Sequence, residues 1–423
     1  MQFIKNYKEI ATNTHRKDAL EFINAAFNAI QPQAVLKEQV SLEGNVLHIQ
    51  QQSFKLNDYE RVFMIGFGKG SSGICQLLEK ILGYHLTEGY DIDIEKVAFK
   101  KIHFTLGSHP LPSQENIDYT NTVLSCVKDL TEKDLVIVVI CGGGSAMFES
   151  LVGLSLNSLV KLFKDLLRSG ATISEMNSIR KHVSKVKGGG LANHLYPARV
   201  ASLIFSDVPG NNLSVIASGP TVKNSNTIYD TKKILEKYQL EKDINESHLQ
   251  AAPTDEKYFD HVSNILMVSN MTAITSMRTL AEKLGYKTRL YSDRLQGEAK
   301  TMGELLITQT KKGEILFAGG ETTTHVTGKG KGGRNQSLVL GSLPHLDENT
   351  LIASFDTDGK DFYGFTGAIG DIQTVQKASE KHLDFQKYLD NDDSYTFFEK
   401  VGDGIDTGDL ESNVSDIMFV MKW

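Results

Sequence analysis

Residues 134–150, DLVIVVICGGGSAMFES, decide the reading of the fold. Leu135 to Ile140 form an unbroken run of branched apolar residues. A run of this kind, with no polar alternation, predicts a central parallel strand covered on both faces. Gly142, Gly143 and Gly144 then allow positive φ and close approach of the backbone to a ligand, and Ser145 is placed to cap the helix that follows. A helix start aimed at a glycine turn attracts anions through its free N–H groups and its dipole. The plain alternative is a tight turn that only lets strand and helix pack. Two further glycine loops that carry cations favour a phosphate cradle.

Upstream, Arg61 to Gly66 predicts a second short strand, and the loop Gly66-Phe67-Gly68-Lys69-Gly70-Ser71-Ser72-Gly73 opens a helix through Leu82. Ile102 to Leu106 predicts a strand, and Ser113 starts a helix that runs to about Leu130. Alternating strands and helices describe a parallel sheet wound on both faces. Nearer the start, Leu20, Ile23, Phe27 and Ile30 recur at helical spacing, giving an amphipathic structural helix over Arg16 to Ile30 and then a hydrophilic connection.

Downstream of the glycine turn, Leu159, Leu162, Phe163, Leu166 and Leu167 form a core-facing helical stripe, with Asn157 or Ser158 as cap and Gly170 as stop. Val200 to Phe205 predicts a strand leading into Ser206-Asp207-Val208-Pro209-Gly210 and Ala217-Ser218-Gly219-Pro220-Thr221. Ligands of wound sheets sit outside the carboxyl ends of the strands, where these polar loops fall. From Gln239 to Asp260 the chain turns polar, which places a domain boundary there, with an N-terminal domain of residues 1–240 and a C-terminal domain of 241–423. A second alternation follows. It has strands at Ile265 to Val268, Thr288 to Tyr291, Ile315 to Ala318, Leu351 to Phe355 and Ile417 to Val420, and helices at Met271 to Leu284 and Glu298 to Lys311.

A chain of 423 residues, 40% of them hydrophobic, is long enough for two cores. The formal charge is -7, and no long basic block is present, which argues against a protein that coats nucleic acid. With no apolar run of membrane-spanning length and no apolar centre near the start, the expectation is a cytoplasmic protein without membrane partners. Cys75, Cys126 and Cys141 lack CxxC spacing, so neither a disulfide framework nor a zinc site is expected. Cys141 reads as a small apolar filler.

The first glycine loop is not a Walker A motif, because Phe63 stands where its leading glycine would be. It does match the dinucleotide pattern as Gly68-Lys69-Gly70-Ser71-Ser72-Gly73, with Asp91 and Asp93 about 20 residues further on. Lys69 would set a point charge on a phosphate or carboxylate. Arg334 ends the third glycine loop, Gly328 to Gln336, where its fork could grip phosphate oxygens as the loop closes. Arg180, Lys181, His182, Lys185 and Lys187 form a cationic cluster that is unexpected in an acidic chain, with a solvated helix face as the bland reading. Asp207, Glu321 and Asp358 follow strand ends and carry the hard oxygens that Mg²⁺ accepts, although each could equally cap a helix or turn. His109 and His182 read as structural histidines.

Together, GFGKGSS from Gly66, VICGGGSAM from Val139, NSIRKHVSKVKGGGLA from Asn177, SDVPG from Ser206, IASGPTV from Ile216, GGETT from Gly319, GKGKGGRNQS from Gly328, DTDG from Asp356 and NVSD from Asn413 resemble the glycerate 2-kinase family. The likeness spans nearly the whole chain. It implies an α/β protein with two domains: an N-terminal Rossmann-like doubly wound sheet, and a C-terminal α/β domain with a mixed sheet, the leucine-rich multi-organism fragment domain. The active site is expected in the cleft between them, and the resemblance leaves room for a homodimer.

The same likeness implies ATP- and Mg²⁺-dependent phosphorylation of the D-glycerate 2-hydroxyl. Lys69 and Arg334 are then catalytic. Gly68, Gly142, Gly143, Gly144, Ser145, Arg180, Lys187, Ser218 and Gly219 contact substrate or phosphate, and Asp207 and Glu321 are the metal ligands. The chain departs from the family pattern at Asn211, where an acidic residue commonly follows SDVPG, at Ser337, where glutamate commonly follows GGRNQ, and in the loop from Asp406 to Ser412. Two alternatives stand beside the kinase. The Gly68 to Gly73 match allows an NAD(P)H-dependent hydroxypyruvate or 2-hydroxyacid reductase, and the departures allow a non-catalytic nucleotide sensor.

Overall fold

In the computed structural model, which describes residues 1–242 and 244–423, the strands Arg61–Phe67, Glu88–Asp93, Ile102–Leu106, Asp134–Ile140, Arg199–Phe205 and Val262–Val268 form one six-stranded sheet. Numbered along the chain, they lie in the order 3-2-1-4-5-6, and the first five pair in parallel. This is the strand order of doubly wound nucleotide-binding sheets, in which ligands sit where the winding reverses, here beyond the ends of Arg61–Phe67 and Asp134–Ile140. The reason is legible in the residues, since all of Asp134–Ile140 is buried, as expected of a central parallel strand.

Some local expectations fail for physical reasons. Glu88–Asp93 looks too polar for a strand, yet Asp91 and Asp93 are buried because hydroxyl and backbone donors meet their carboxylates. The hydrophilic connection after the first long helix is a three-stranded antiparallel sheet, Val40–Glu43, Val46–Ile49 and Gln52–Lys55, with Leu47, Ile49 and Phe54 turned inward. The helix Leu156–Arg168 is capped by Ser155, which accepts from Ser158 N–H, and not by Asn157 or Ser158. Leu159, Leu162, Phe163 and Leu166 are buried, whereas Leu167 lies one position off the stripe and is exposed.

The second six-stranded sheet is mixed, with spatial order Lys287–Leu295, Glu314–Gly320, Asp416–Lys422, Thr350–Asp356, Gly367–Gly370, Gly404–Ile405. Only the first pair is parallel, and Asp416–Lys422 runs antiparallel to both of its neighbours. The helix Arg334–Ser342, buried from Asn335 onward, packs on this sheet, so closely to the helix Ala299–Gln309 that a Cβ at Gly341 would collide with the Lys300 carbonyl.

The chain divides into two compact units, Val35–Ser206 with Asn211–Met267, and Met1–Ala34 with Asp207–Gly210 and Val268–Trp423. This differs from a break near residue 240. The polar stretch stays with the first of these units because Leu240 and Ile244 join its core and Val262–Val268 joins its sheet. Asp243, within that stretch, lies outside the described residues. The helix Thr14–Ile30, in contrast, belongs with the C-terminal residues. Its apolar stripe covers their mixed sheet, with Phe22 against Phe419 and Phe27 against Phe355 at ring separations of 6.2 and 5.3 Å.

Arg16 on that helix is fully buried. Its guanidinium makes charge-assisted bonds to Asp371 at 2.6 and 2.8 Å, to Asp403 at 2.7 and 3.1 Å and to Thr374 at 2.8 Å. Burial alone would raise the Asp403 carboxyl, but Arg16 and Lys377 outweigh it and hold its pKa below the usual range. Removing one member of such a network leaves buried charges unpaired. Replacing Arg16 by methionine is therefore expected to destabilise this unit by about 3 to 5 kcal/mol in denaturant titration. A loss under about 1 kcal/mol would show that the network contributes little.

Candidate active site

At the point where the parallel sheet reverses, the two glycine loops meet. Cys141 N–H donates to the Phe67 carbonyl at 3.1 Å and Lys69 N–H to the Gly142 carbonyl at 2.8 Å. Gly68 has φ 111°, and a Cβ there would lie 2.6 Å from the Cys141 carbonyl oxygen, so only glycine allows the loops to touch. The helix that opens at the turn, Gly144–Met147, is a single turn capped by left-handed Gly143. Ser145 therefore lies inside it instead of capping it, and its Oγ is 3.1 Å from Ser218 Oγ.

Lys69 runs alongside Gly143, where a Cβ would lie 3.4 Å from Lys69 Cγ and 2.9 Å from His109 Cδ2. Lysine and histidine thus flank the glycine turn. Burial, reinforced by the Lys69 charge, holds the His109 pKa below its ordinary value. The loop bearing His109 is fixed by buried Asn116, which accepts from Ser108 N–H and donates to the Ser108 and Ala146 carbonyls, each at 3.0 Å. Sequence reasoning set His109 aside as structural and passed over Asn116. Nothing in the spacing of either residue signals its place here.

Asp91 accepts from Ser71 Oγ at 2.7 Å and Ser72 Oγ at 2.5 Å, and Asp93 accepts from Ser72 N–H at 3.0 Å. Both carboxylates face into the protein and brace the Lys69 turn, so neither is placed to hold a ribose. A Cβ at Gly73 would meet open space, so the third glycine does not serve helix–strand packing either. The match to the dinucleotide pattern is therefore formal, and the reductase alternative loses its footing.

Ala217, Ser218 and Gly219 have φ of 48, 63 and 62°, a left-handed turn in which two of the three residues carry side chains. Such backbone persists where surrounding structure imposes it. Gly188 and Gly189 N–H groups fasten it by donating to the Ser218 and Gly219 carbonyls at 2.9 and 2.8 Å. The turn carries a chain of polar contacts outward. Ser218 Oγ donates to Asn177 Oδ1 at 3.4 Å, and Arg180 donates to the same oxygen at 3.1 Å.

Arg180 lies over the Phe163 ring at 4.4 Å, and burial holds its pKa down, opposed by Glu149. The rest of the cationic cluster has other work. Lys187 is 2% exposed and is bonded to Glu149 at 2.9 Å and the Phe148 carbonyl at 2.8 Å, so its charge is spent inside the fold. Lys181 reaches Asn224 at 3.3 Å, and His182 Nδ1 lies 2.9 Å from the Gln250 carbonyl.

In the other unit, strand register builds a carboxylate cluster. Asp416 stands opposite Gly320 on one side and Asp356 on the other, and Glu321 follows Gly320. Arg334, the first residue of its helix, enters among them, bonded to Asp416 at 2.5 and 3.1 Å, Glu321 at 2.6 Å and Asp356 at 3.4 Å. Asn335 adds a bond to Asp416 at 2.9 Å. Burial opposes the charge on Arg334, but the carboxylates outweigh it and raise its pKa. Burial pushes Asp416 up to about 7 against the pull of Arg334, and burial with the Asp416 charge raises Asp356 well above the carboxylate range.

Three carboxylates share one guanidinium, so the cluster is short of positive charge, and its hard oxygens fit a divalent cation. Among the described residues, no group of three or more His, Cys, Asp and Glu side chains is placed to hold a metal ion alone. Mg²⁺ needs no such cage, since it is usually held by one or two carboxylates together with substrate phosphates. Asp207 lies just past the strand Arg199–Phe205, in the Asp207–Gly210 segment that packs with this unit. The divergent loop from Asp406 to Ser412 packs on the DTDG turn, with Leu410 N–H donating to the Asp358 carbonyl at 2.7 Å, and on the chain start, where Lys5 N–H donates to the Asp406 carbonyl at 2.7 Å. Ser337 is buried, 3.3 Å from Ser394 Oγ, and Asn211 takes a left-handed φ of 52°.

Residues 18–252 match a domain of unknown function, DUF4147, and residues 314–416 match the MOFRL family. The chain is 35% identical over 437 residues to the glycerate 2-kinase of Pyrococcus horikoshii, covering 96% of this chain and 97% of that one. It is 33% identical to the D-glycerate 2-kinase of Thermotoga maritima, with coverage of 95% and 97%, and 31% identical to the glycerate kinase of Rattus norvegicus, with coverage of 95% and 92%. A crystal structure of glycerate kinase from Thermotoga maritima superposes with a TM-score of 0.85 at 31% identity, covering 96% of this chain and 99% of that one. A Pyrococcus horikoshii structure superposes with a TM-score of 0.86 at 32% identity, covering 97% and 99%.

The brace behind Lys69 has a measurable signature. Burial pushes Asp91 up to about 6, opposed by its serine partners, so the folded protein holds a proton there that the unfolded chain releases near pH 4. Stability from a raised carboxyl is present at low pH and lost as pH rises through the folded value. Wild type should therefore lose about 3 kcal/mol relative to Asp91→Asn between pH 4 and 6, and stay level above pH 7. Parallel denaturant titrations of the two proteins check this, and a flat difference would refute it.

Proposed function

The chain belongs to the glycerate 2-kinase family, and we propose that it transfers the γ-phosphoryl group of ATP to the 2-hydroxyl of D-glycerate, giving 2-phosphoglycerate and ADP. The observation that carries this reading is the setting of Lys69, on a turn that only glycine backbone can form, at the reversal point of a doubly wound sheet. Phosphoryl transfer passes through a loose transition state, so the protein chiefly has to position two reactants and neutralise spreading charge. A cation held past the carboxyl ends of the central strands serves both needs.

In this reading Lys69 and Arg334 are the two catalytic cations that meet phosphoryl charge. A guanidinium has five N–H donors, and Arg334 makes four bonds to carboxylates, of which the one to half-exposed Glu321 is the most open to exchange. The backbone N–H groups of Gly142 to Ser145 and the left-handed turn at Ser218 and Gly219 meet phosphate or substrate oxygens, with Gly68 giving the room. Arg180, half-buried with a neutral hydrogen-bond partner, takes the glycerate carboxylate. Lys187 supports that arginine through Glu149 and does not touch the ligand. His109 stands beside Lys69, held neutral by burial and by the lysine charge, and accepts the proton that leaves the 2-hydroxyl. Glu321 or Asp356 would hold Mg²⁺ together with phosphate oxygens, with Asp207 as the further candidate, and the ion would supply charge neutralisation when bound. No described helix is long and apolar enough to cross a membrane.

Phosphorus NMR of the protein with ATP, Mg²⁺ and D-glycerate should show 2-phosphoglycerate forming. Lys69→Ala and Arg334→Ala are each expected to lower kcat by roughly 10²- to 10³-fold, as when one preorganised charge-stabilising donor is lost. The melting temperature should stay unchanged in Lys69→Ala and fall in Arg334→Ala, where buried Asp416 and Asp356 lose their guanidinium. Arg180→Ala should act mainly on KM for glycerate. Near-normal turnover in both the lysine and the arginine variant overturns the assignment.

A further inference from the structure

Phe362 is 86% exposed and has φ 59°. A bulky residue in the left-handed region is a genuine backbone outlier, and an exposed ring gains nothing from the strain. The loop around it is firmly held. Asp361 N–H donates to the Phe365 carbonyl at 2.8 Å, and the Gln336 side chain donates to the Tyr363 carbonyl at 3.0 Å and the Asp361 carbonyl at 3.4 Å. Tyr363 meets the Tyr395 ring edge-on at 4.9 Å, with Lys331 Nζ 5.0 Å from the Tyr363 centroid. Phe362 is thus presented at the tip of a rigid turn.

That turn and the Arg334 turn form one piece. The Asp361 carboxylate accepts from Asn335 N–H at 3.0 Å and Gln336 N–H at 2.8 Å, and a Cβ on Gly333 would collide with Asp361. The first N–H groups of the helix are therefore already occupied by a carboxylate, so a phosphate arriving here must rely on side-chain cations. Lys331, whose Nζ lies 5.0 Å from the ring centroid of Tyr363, next in the chain to Phe362, supplies one, and Arg334 heads the helix that this turn holds. The turn accordingly offers one upright aromatic ring and a lysine ammonium beside the next residue. Glycerate has no flat apolar surface to use such a ring, and a protein partner would want a broad patch. A nucleoside triphosphate is flat and apolar at one end and polyanionic at the other.

We propose that Phe362 is the platform on which the base of the nucleoside triphosphate stacks, an inference that rests on the kinase reading. Because every base has a π-face, the platform binds nucleotides with little preference among bases. It holds the triphosphate in line with Arg334 and takes no part in the chemistry.

Steady-state kinetics of wild type, Phe362→Ala, Phe362→Gly and Phe362→Trp, with ATP and D-glycerate each varied, test this. Loss of one stacked base should raise KM for ATP by roughly 5- to 150-fold in the alanine and glycine variants. KM for glycerate should stay unchanged, and the tryptophan variant should keep wild-type affinity. Inhibition by inorganic tripolyphosphate, which has no base, should be the same in Phe362→Ala and wild type. Phe362→Gly should melt higher than wild type, because glycine relieves the backbone while binding suffers. An unchanged KM for ATP overturns the proposal, as does an equal loss of affinity for glycerate or tripolyphosphate. If wild type forms no 2-phosphoglycerate, the kinase reading itself falls. Calorimetric titration of wild type and Phe362→Ala with ATP then decides the platform separately.

Discussion

The register of the strand Asp416–Lys422 is the constraint on which the Arg334 half of the chemistry depends. Held antiparallel between Glu314–Gly320 and Thr350–Asp356, it sets Asp416 level with both Gly320 and Asp356. A slip of one residue would turn Asp416 to the opposite face and take the alternating core residues with it. The hydrophobic face of the strand, with Met418 and Val420 in one cluster, therefore also fixes where three acids meet. Arg334 answers that concentration of negative charge, and its helix is locked from behind by Asp361.

The other unit solves the converse problem. Its cations lie near glycine turns with few carboxylates, and strain replaces charge as the organising device: Gly68, Gly70 and Gly143 take positive φ, and Ala217 and Ser218 join them without the freedom of glycine. Buried serines and asparagines hold these turns. Ser71 and Ser72 tie to Asp91, Asn116 staples the His109 loop, and Ser218 links Ser145 to Asn177. One unit is rich in fixed carboxylates and the other in fixed donors.

Much of this was legible in the chain. The apolar runs at Arg61 and Leu135 and the glycine loops after them identify the reversal point, because branched residues without alternation have few other homes. Lys69 and Arg334 stand out because cations in glycine loops are conspicuous. What stayed hidden depends on partners distant in sequence. Asp91 and Asp93 look like ligands until their serines are seen. Lys187 looks available until Glu149 takes it, and His109 has no motif at all. The placement of residues 1–34 was also out of reach, since an amphipathic helix shows that it needs a cover but not which sheet provides it.

That placement bears on how the molecule is made. The helix Thr14–Ile30 leaves the ribosome long before the strand that Phe22 packs on, Asp416–Lys422. The unit Val35–Ser206 with Asn211–Met267 is complete in sequence before that strand is made, while the helix must wait with its apolar stripe uncovered until the strand emerges. A nascent chain thus carries an uncovered apolar stripe while its middle unit folds, a surface open to wrong contacts in the interval.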